Sequence, residues 1–189
     1  MDKRDHHSTK KDLLSKEERA NATRRQDISN LDYISIPMDV LPFGLVLDDT
    51  VTNCEHQLRE LSQKQILNLT GISNTDLKIM YGAANLPILT ECDLNFTQFA
   101  RSINQWGSRL YELGYKEEAA VVLAYGIEKQ IDIKSSYVLL ANIYFELGQP
   151  EKINHLIAIA GGLNSLMKDP IVKALASLCK TSDMVLDTK

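Results

Sequence analysis

The sequence predicts an all-α protein built from helical hairpins, and three observations indicate this class. The stretches LYELGYKEEAA (110–120) and YFELGQPEKIN (144–154) both place Leu-Gly at a helix end, followed by acidic residues that open another helix. Their glycines, Gly114 and Gly148, are 34 residues apart, a period typical of stacked helical hairpins. Apolar residues on either side recur every three or four positions, as on one buried helix face.

Length and charge restrict the class further. The 189 residues allow one domain with appendages, and 44% apolar residues are enough for one core. The net charge is −4, but residues 1–30 hold eight Lys/Arg against six Asp/Glu, so the remainder carries −6. Because a nucleic-acid-binding fold needs a basic face, we expect no nucleic-acid partner.

The cysteines and the apolar runs predict the compartment. The three cysteines are odd in number and widely spaced, without metal or redox spacing, which favours reduced, buried thiols. No apolar run reaches the roughly 18–20 residues of a membrane span, and no apolar region follows the charged start MDKRDHHSTKK. We therefore expect a cytoplasmic protein without a signal peptide.

The first half of the chain divides into three predicted parts. Residues 1–30 contain too few apolar side chains to form a core and are predicted to be a charged tail, disordered or a fraying helix. Residues 31–47 are apolar and contain Pro37 and Pro42, which favours an extended segment. Residues 48–92 are predicted to form N-terminal flanking helices.

Within residues 48–92, capping residues predict where the helices begin. Asp48 caps a helix whose apolar positions continue to about residue 69, and a short helix ends near Gly82. The proline at position 87 predicts a loop over 86–93, with Asp93 as the cap of the following helix.

Residues 93–181 are predicted to form the repeat domain, with residues 182–189 as a tail. The first long helix covers about 94 to 113, and Trp106 lies in phase with its apolar face, which predicts a core position. Ser135 is predicted to cap the first helix of the second unit. Asp169 and Pro170 open a last helix that ends near Cys179.

Units of 34 residues counted from positions 100 and 134 resemble the tetratricopeptide repeat (TPR). Gly107 and Ala141 occupy its small position, Gly114 and Gly148 its turn, and Ala119 the small residue of the second helix. The large positions of the second unit match at Tyr137, Leu140 and Tyr144. The resemblance covers residues 100–167 and implies a short α-solenoid of antiparallel hairpins. Since repeats need neighbours, the flanking helices are expected to cover both ends.

The chain from about 66 to 180 also resembles uncharacterised bacterial TPR-like proteins. The resemblance depends on NLTGISNTDLKIMYGAANLPILTECDLNF (68–96), followed by the two repeats. Such proteins often carry an N-terminal membrane-anchoring helix and have no established activity. The resemblance therefore implies an alternative location at the cytoplasmic face of the membrane, although this chain departs from it by having no such helix in its sequence.

The sequence contains no pattern that predicts catalysis. Its four histidines are scattered, and no His/Cys/carboxylate set has metal-ligand spacing. No phosphate-binding loop, nucleophile elbow or dinucleotide fingerprint occurs, and the glycines are explained by helix ends. We expect no enzyme activity, no cofactor and no metal site.

The TPR resemblance implies a concave groove lined by outward positions of the first helix of each hairpin and of the last helix. These positions are Arg101, Asn104, Ser108, Tyr111, Val138, Asn142, Phe145 and Lys173. A clamp for a peptide's terminal carboxylate is not expected, because Asn104 and Ser108 replace the Lys/Asn pair that the family uses. The aromatic and aliphatic members favour a mixed apolar and polar peptide, and the alternative is an ordinary surface.

Two functional hypotheses result. The first is an adaptor or scaffold that binds a peptide or protein segment in the groove. The second is a structural protein whose groove is filled by its own residues 31–47, either in the same chain or in a second copy as a homo-oligomer.

Overall fold

The computed structural model describes the backbone of residues 3–186 and the side chains of residues 12–179. Over that range the chain forms α-helices and no strand, which confirms the all-α class. The helices are α1 (Lys3–Ala22), α2 (Asp49–Leu61), α3 (Asn74–Tyr81), α4 (Leu86–Glu112), α5 (Lys116–Glu128), α6 (Lys134–Glu146), α7 (Lys152–Gly161) and α8 (Lys168–Leu186). A 3₁₀ turn over Ala83–Asn85 joins α3 to α4.

The start of α2 follows from its cap. The Asp48 carboxylate accepts hydrogen bonds from the backbone N–H groups of Thr50 and Val51, both at 3.1 Å. These two groups have no partner inside the helix, so the predicted cap is confirmed.

The end of α2 differs from the prediction, because the helix stops at Leu61 rather than near residue 69. The apolar side chains that follow are buried in two different clusters: Ile66 joins the main core, whereas Leu67 and Leu69 join a smaller one with α3 and α4. The Leu69 N–H is satisfied by the Asp93 carboxylate at 3.2 Å. Side chains on one face of a continued helix could not pack into both clusters.

The predicted loop over 86–93 is wrong. α4 already begins at Leu86 and continues for 27 residues, so the predicted boundary between residues 92 and 93 falls inside a continuous helix. Pro87 lies in the first turn, where its missing N–H would have no helical partner in any case. Asp93, predicted as a cap, lies within α4 and instead holds the main chain at Leu69.

α4 and α5 pack against each other in opposite directions. Gly107 of α4 faces Leu123, and Ile103, one turn earlier, faces Gly126, one turn later. A Cβ atom at position 107 would lie 2.5 Å from Leu123 Cγ, so the absence of a side chain permits this close approach. The two helices are joined by a turn at Gly114, whose φ is +91°.

The same turn ends α6. Gly148 has a φ of +68°, a left-handed conformation that side chains other than glycine rarely adopt. In both turns the N–H after the glycine bonds five residues back, from Tyr115 to Leu110 and from Gln149 to Tyr144. This is the hydrogen bond of the Schellman motif, so both glycines end helices as predicted.

α4 and α6 lie side by side and run in the same direction. Asn104 accepts hydrogen bonds from Ser135 and Ser136 at one end, and Tyr111 bonds Glu146 at the other. α6 starts after Ile133, so Ser135, predicted as a cap, sits in the first turn and bonds across to α4 instead. α8 packs against α6 and α7.

The main core lies between α2, α4, α5 and α6, with contributions from α7 and α8. Its largest fully buried side chains are Trp106, Tyr137 and Phe99, which confirms the predicted core position of Trp106. The buried Tyr137 hydroxyl donates to the Ile131 carbonyl at 3.0 Å, so this polar group is satisfied.

The N-terminal region differs from the predicted tail, because α1 packs against α3. Glu17 binds Thr75 and, at 3.4 Å, Lys78, while Lys16 binds Asp76 at 2.7 Å. These contacts are mostly polar, and for that reason the low apolar content of the segment did not indicate them. Residues 1–2 lie outside the described part of the chain.

At the C-terminus, α8 runs to Leu186, beyond its predicted end near Cys179. It therefore includes residues 182–186 of the predicted tail, and residues 187–189 lie outside the described range. Among the described residues, no helix combines the length and apolar character required to cross a lipid bilayer.

Residues 31–47, here called the strap, contain turns but no helix or strand, in agreement with their prolines. Ile36 and Leu41 are buried in the main core, and the Phe43 ring lies 4.9 Å from the Trp106 ring, centroid to centroid. The strap therefore packs on α2, α4 and α5 of its own chain.

Asp48 joins the end of the strap to α4. Its carboxylate binds the Arg109 guanidinium at 2.8 Å while it caps α2. Hydrogen bonds from Arg109, supported by those from the backbone of Val51, lower the pKa of Asp48 below its usual value.

The Asp48→Asn variant is expected to lose less thermal stability than the wild type when the pH falls from about 7 to about 3. A lowered pKa in the folded state means that the carboxylate stabilises the fold above the unfolded pKa of about 4, and that this contribution disappears as the pH falls through the folded pKa. Asparagine keeps a capping oxygen but no charge. Melting temperatures of both proteins at the two pH values measure the difference; equal losses would contradict it.

Candidate interaction groove

An open cleft of about 560 Å³ lies on the protein surface along α4, between the start of α2 and the residue that precedes α6. Its lining contains three of the predicted groove residues, Arg101, Asn104 and Ser108, from successive turns of α4. The remaining lining residues are Thr50, Gln105, Arg109, Glu112 and Ile133.

Asn104 is oriented by α6. Its Oδ1 atom accepts hydrogen bonds from both Ser135 and Ser136 at 2.9 Å, whereas its Nδ2 group has no hydrogen-bond partner among the described residues. The two serines therefore fix the amide so that its two N–H donors remain available. A carbonyl or carboxylate oxygen in the cleft is the acceptor that such donors match.

Tyr111 was predicted to line the groove, but the structure places its hydroxyl in a contact between α4 and α6. Its hydroxyl donates to Glu146 Oε1 at 2.6 Å, and Lys116 binds the other oxygen of the same carboxylate at 2.5 Å. Lys116, followed by Tyr111, lowers the pKa of Glu146. Tyr111 therefore links the ends of α4 and α6 and does not line the cleft.

The predicted residues of α6 lie beside the cleft rather than inside it. Val138, Asn142 and Phe145 are half-buried, and Phe145 packs partly on the main core. No hydrogen bond to the Asn142 amide occurs within the described part of the chain. Lys173 is exposed on α8, the neighbour of α6. The structure thus places the predicted residues Arg101, Asn104 and Ser108 of α4 together in the cleft. The predicted residues of α6 and α8 lie outside it.

The charges of the cleft differ between its two ends. Arg109 is paired with Asp48 and, at 3.0 Å, with Glu112, so that end is neutralised. Arg101 is exposed, and no acidic partner is found for it among the described side chains. Among the described lining residues, Arg101 is therefore a cation without an acidic partner, and it lies about one turn before Asn104 on α4.

Sequence reasoning missed Thr50, Gln105, Arg109 and Ile133 as lining residues. Thr50 belongs to α2, and only the packing of α2 against α4 brings it there. Arg109 follows the predicted Ser108 directly and lies one turn after Gln105, so the helical period of α4 could have indicated it.

The strap does not occupy this cleft. Its aromatic contact is with Trp106, and the Ser35 carbonyl accepts a hydrogen bond from Tyr125 of α5 at 2.8 Å. The hypothesis that the groove is filled by residues 31–47 of the same chain therefore does not agree with where the strap packs.

Comparison of the chain with protein-family models, with curated proteins and with solved structures found no match. The function of the cleft must therefore be argued from its own chemistry.

The cleft supplies amide, hydroxyl and guanidinium donors, which suit recognition of a polypeptide backbone or side chain. Within the described residues, no group of three His, Cys, Asp or Glu side chains could hold a metal ion. Burial raises the pKa of the Cys54 thiol to about 11, so this cysteine is protonated at neutral pH.

Proposed function

We propose that this protein is a non-enzymatic interaction module of the TPR-like type, which binds a peptide or protein segment along the cleft of α4 and the neighbouring face of α6, here together called the groove. The hairpin of α4 and α5, the parallel placement of α6 and the matching turns at Gly114 and Gly148 support this assignment. In such an array, the first helices of successive hairpins form a continuous binding face.

The observation that carries the proposal is an open cleft whose lining includes an amide oriented by α6. The Asn104 amide is held by two serines, and Asn104 and Arg101 both line the cleft. Next to them on α6, the Asn142 amide is available and the Phe145 ring is half-exposed. A segment with backbone carbonyls, an acidic or polar side chain and one apolar anchor matches this set.

The expected result of a binding test is that groove substitutions reduce partner capture and leave the fold intact. The variants Asn142→Ala and Arg101→Glu are compared with the wild type in capture from extracts of the native cell. Because no fold-stabilising bond to either side chain is described, their melting temperatures should stay within a few degrees of the wild type, as for typical surface changes. We expect capture of the same partner to fall at least severalfold.

Asn154→Ala is the matched control, since Asn154 is exposed on α7 rather than on the α4–α6 face. It should capture the partner as well as the wild type does. Equal capture by all four proteins, or a loss with Asn154→Ala alone, would reject the groove as the binding site.

A further inference from the structure

The strap is attached to the rest of the chain as a bound peptide would be. Its side chains Ile36, Leu41 and Phe43 enter a channel between α2, α4 and α5, whose floor is Trp106. The described main-chain hydrogen bonds from the strap to α2, to α5 and to the segment after α2 have lengths of 2.8 to 2.9 Å. They join Ile34 to Ile66, Ser35 to Tyr125 and Gly44 to Glu55.

The channel holds this segment through one buried carboxylate and one ring contact. The Glu55 carboxylate is only 4% exposed and accepts one hydrogen bond from the Gly44 N–H and one from Arg59. The Phe43 ring fills the space between Trp106 and the Arg59 guanidinium, whose Cζ lies 4.8 Å from the ring centroid. If the channel were empty, the buried Glu55 carboxylate would lose a hydrogen-bond donor and the Trp106 indole would be exposed. The channel therefore requires an occupant that supplies the same N–H group and the same ring.

The strap is also where exposed apolar side chains concentrate. Val40 is 64% exposed and Leu47 is fully exposed, and Met38 and Leu45 are also exposed. Four large apolar residues in contact with water within ten positions are unfavourable in a single chain. Of these four, Leu47 lies at the end of the strap, where contact with a second copy of the chain would cover it.

The junction between the strap and α2 lies at Leu47 and is here called the hinge. Leu47 contacts nothing that shields it from water, whereas the next residue, Asp48, is held by Arg109 and caps α2. The described residues before the hinge, α1 included, bind the remainder of the chain mostly through contacts distant in sequence, such as Arg25 with Asn85 at 3.0 Å. Those contacts can form equally well between two chains.

We propose that the channel also accepts the strap of a second copy of this chain, so that two chains exchange their N-terminal arms (residues 3–47) about the junction of Leu47 and Asp48. A second copy carries the required pattern in full: the two aliphatic anchors, the ring for Trp106 and the N–H for Glu55. All native contacts of the arm are then kept, and the two hinge segments meet and cover their exposed leucines. The partner of this site is the chain itself.

The first test measures the mass of the full-length wild-type protein by light scattering from micromolar to millimolar concentration. The mass is expected to rise from one chain toward two. Leu47→Asp should lower the dimer fraction without changing the melting temperature of the monomer, because Leu47 is fully exposed there. The matched control is Leu166→Asp, since Leu166 is 98% exposed but lies between α7 and α8, and it should dimerise as the wild type does.

The second test uses the single tryptophan of the chain as a reporter of channel occupancy. Full-length Phe43→Ala has a weakened strap, so its Trp106 emission should shift to longer wavelength than in the wild type. Full-length Trp106→Phe carries an intact strap and contributes no tryptophan signal. When the second variant is added in excess, the emission of the first should return toward the wild-type wavelength.

A wild-type mass that stays at one chain over the whole range overturns the proposal. A dimer that is weakened equally by Leu47→Asp and by Leu166→Asp also overturns the proposal, since that result would place the interface away from the hinge. If Phe43→Ala does not fold, the mass measurements decide alone. If it folds, an emission unchanged by the added Trp106→Phe chain also overturns the exchange, whereas binding of an unrelated groove partner is unaffected by any of these results.

Discussion

Replacement of Trp106 by alanine is expected to lower the free energy of unfolding by about 3–5 kcal/mol, the range for emptying a large buried aromatic site. Trp106 has no exposed surface and is the largest of the fully buried side chains. It packs on the Phe43 ring of the strap and lies in the same helix as Phe99 and Ile103. Its loss therefore leaves a cavity between the strap and α4. Urea denaturation of the full-length chain measures the change.

Two companion variants make the Trp106 result specific. Leu166→Ala should change the free energy of unfolding by no more than about 0.5 kcal/mol, because Leu166 is 98% exposed. Trp106→Phe should cost less than Trp106→Ala, since it keeps a ring in the core and removes an indole N–H that has no hydrogen-bond partner among the described residues. An unchanged stability in Trp106→Ala would show that the residue is not a core residue.

The second large effect is expected at the contact of α4 with α5. Gly107→Val should lower the free energy of unfolding by about 1–3 kcal/mol, because a Cβ there would lie 2.5 Å from Leu123 Cγ and 2.6 Å from Leu123 Cδ2. The branched side chain has no space unless the two helices separate. Thermal and urea denaturation of the full-length variant test this result.

Gly161→Ala is the control for Gly107→Val. Gly161 is the last residue of α7, and no atom lies within 4 Å of the position that its Cβ would take. Alanine should therefore be neutral or stabilising by up to about 1 kcal/mol, through its better helix propensity. If both substitutions had the same effect, close packing would not explain the glycine at position 107.

Local signals in the sequence predicted much of the helical framework. The three-to-four spacing of apolar residues placed Trp106 in the core, and the turns at Gly114 and Gly148 both have the expected left-handed glycine. Asp48 was recognisable as a cap because its side chain and the next helix are adjacent in sequence. Each of these features depends on interactions within a few residues.

Where a local signal allowed two structures, the prediction failed. Pro87 suits either a loop or a first helical turn, and the structure has the helix. The apolar residues Ile66, Leu67 and Leu69 suit either a continued helix or an extended segment, and burial in two separate clusters decided for the second. The attachment of α1 was not predictable from hydrophobicity, because Glu17 and Lys16 hold it through polar contacts with α3.

Among the groove residues, too, some positions follow from the local sequence and others depend on tertiary contacts. Arg101, Asn104 and Ser108 follow from the phase of one helix, and the structure places all three in the cleft. Tyr111 has a suitable position but is bound to Glu146, 35 residues away in the sequence. Thr50 entered the cleft from α2 without any signal in its own neighbourhood.

The sequence by itself determined the all-α class, the buried face of the long central helix and the two glycine turns, because helix periodicity and helix ends depend on neighbours in the chain. Only the tertiary structure decided where the strap lies, which donors of the cleft remain free and how α1 is attached. Those features depend on pairs such as Phe43 with Trp106 and Tyr125 with Ser35, which are distant in sequence. Tertiary packing, and not the local sequence, brings such pairs together.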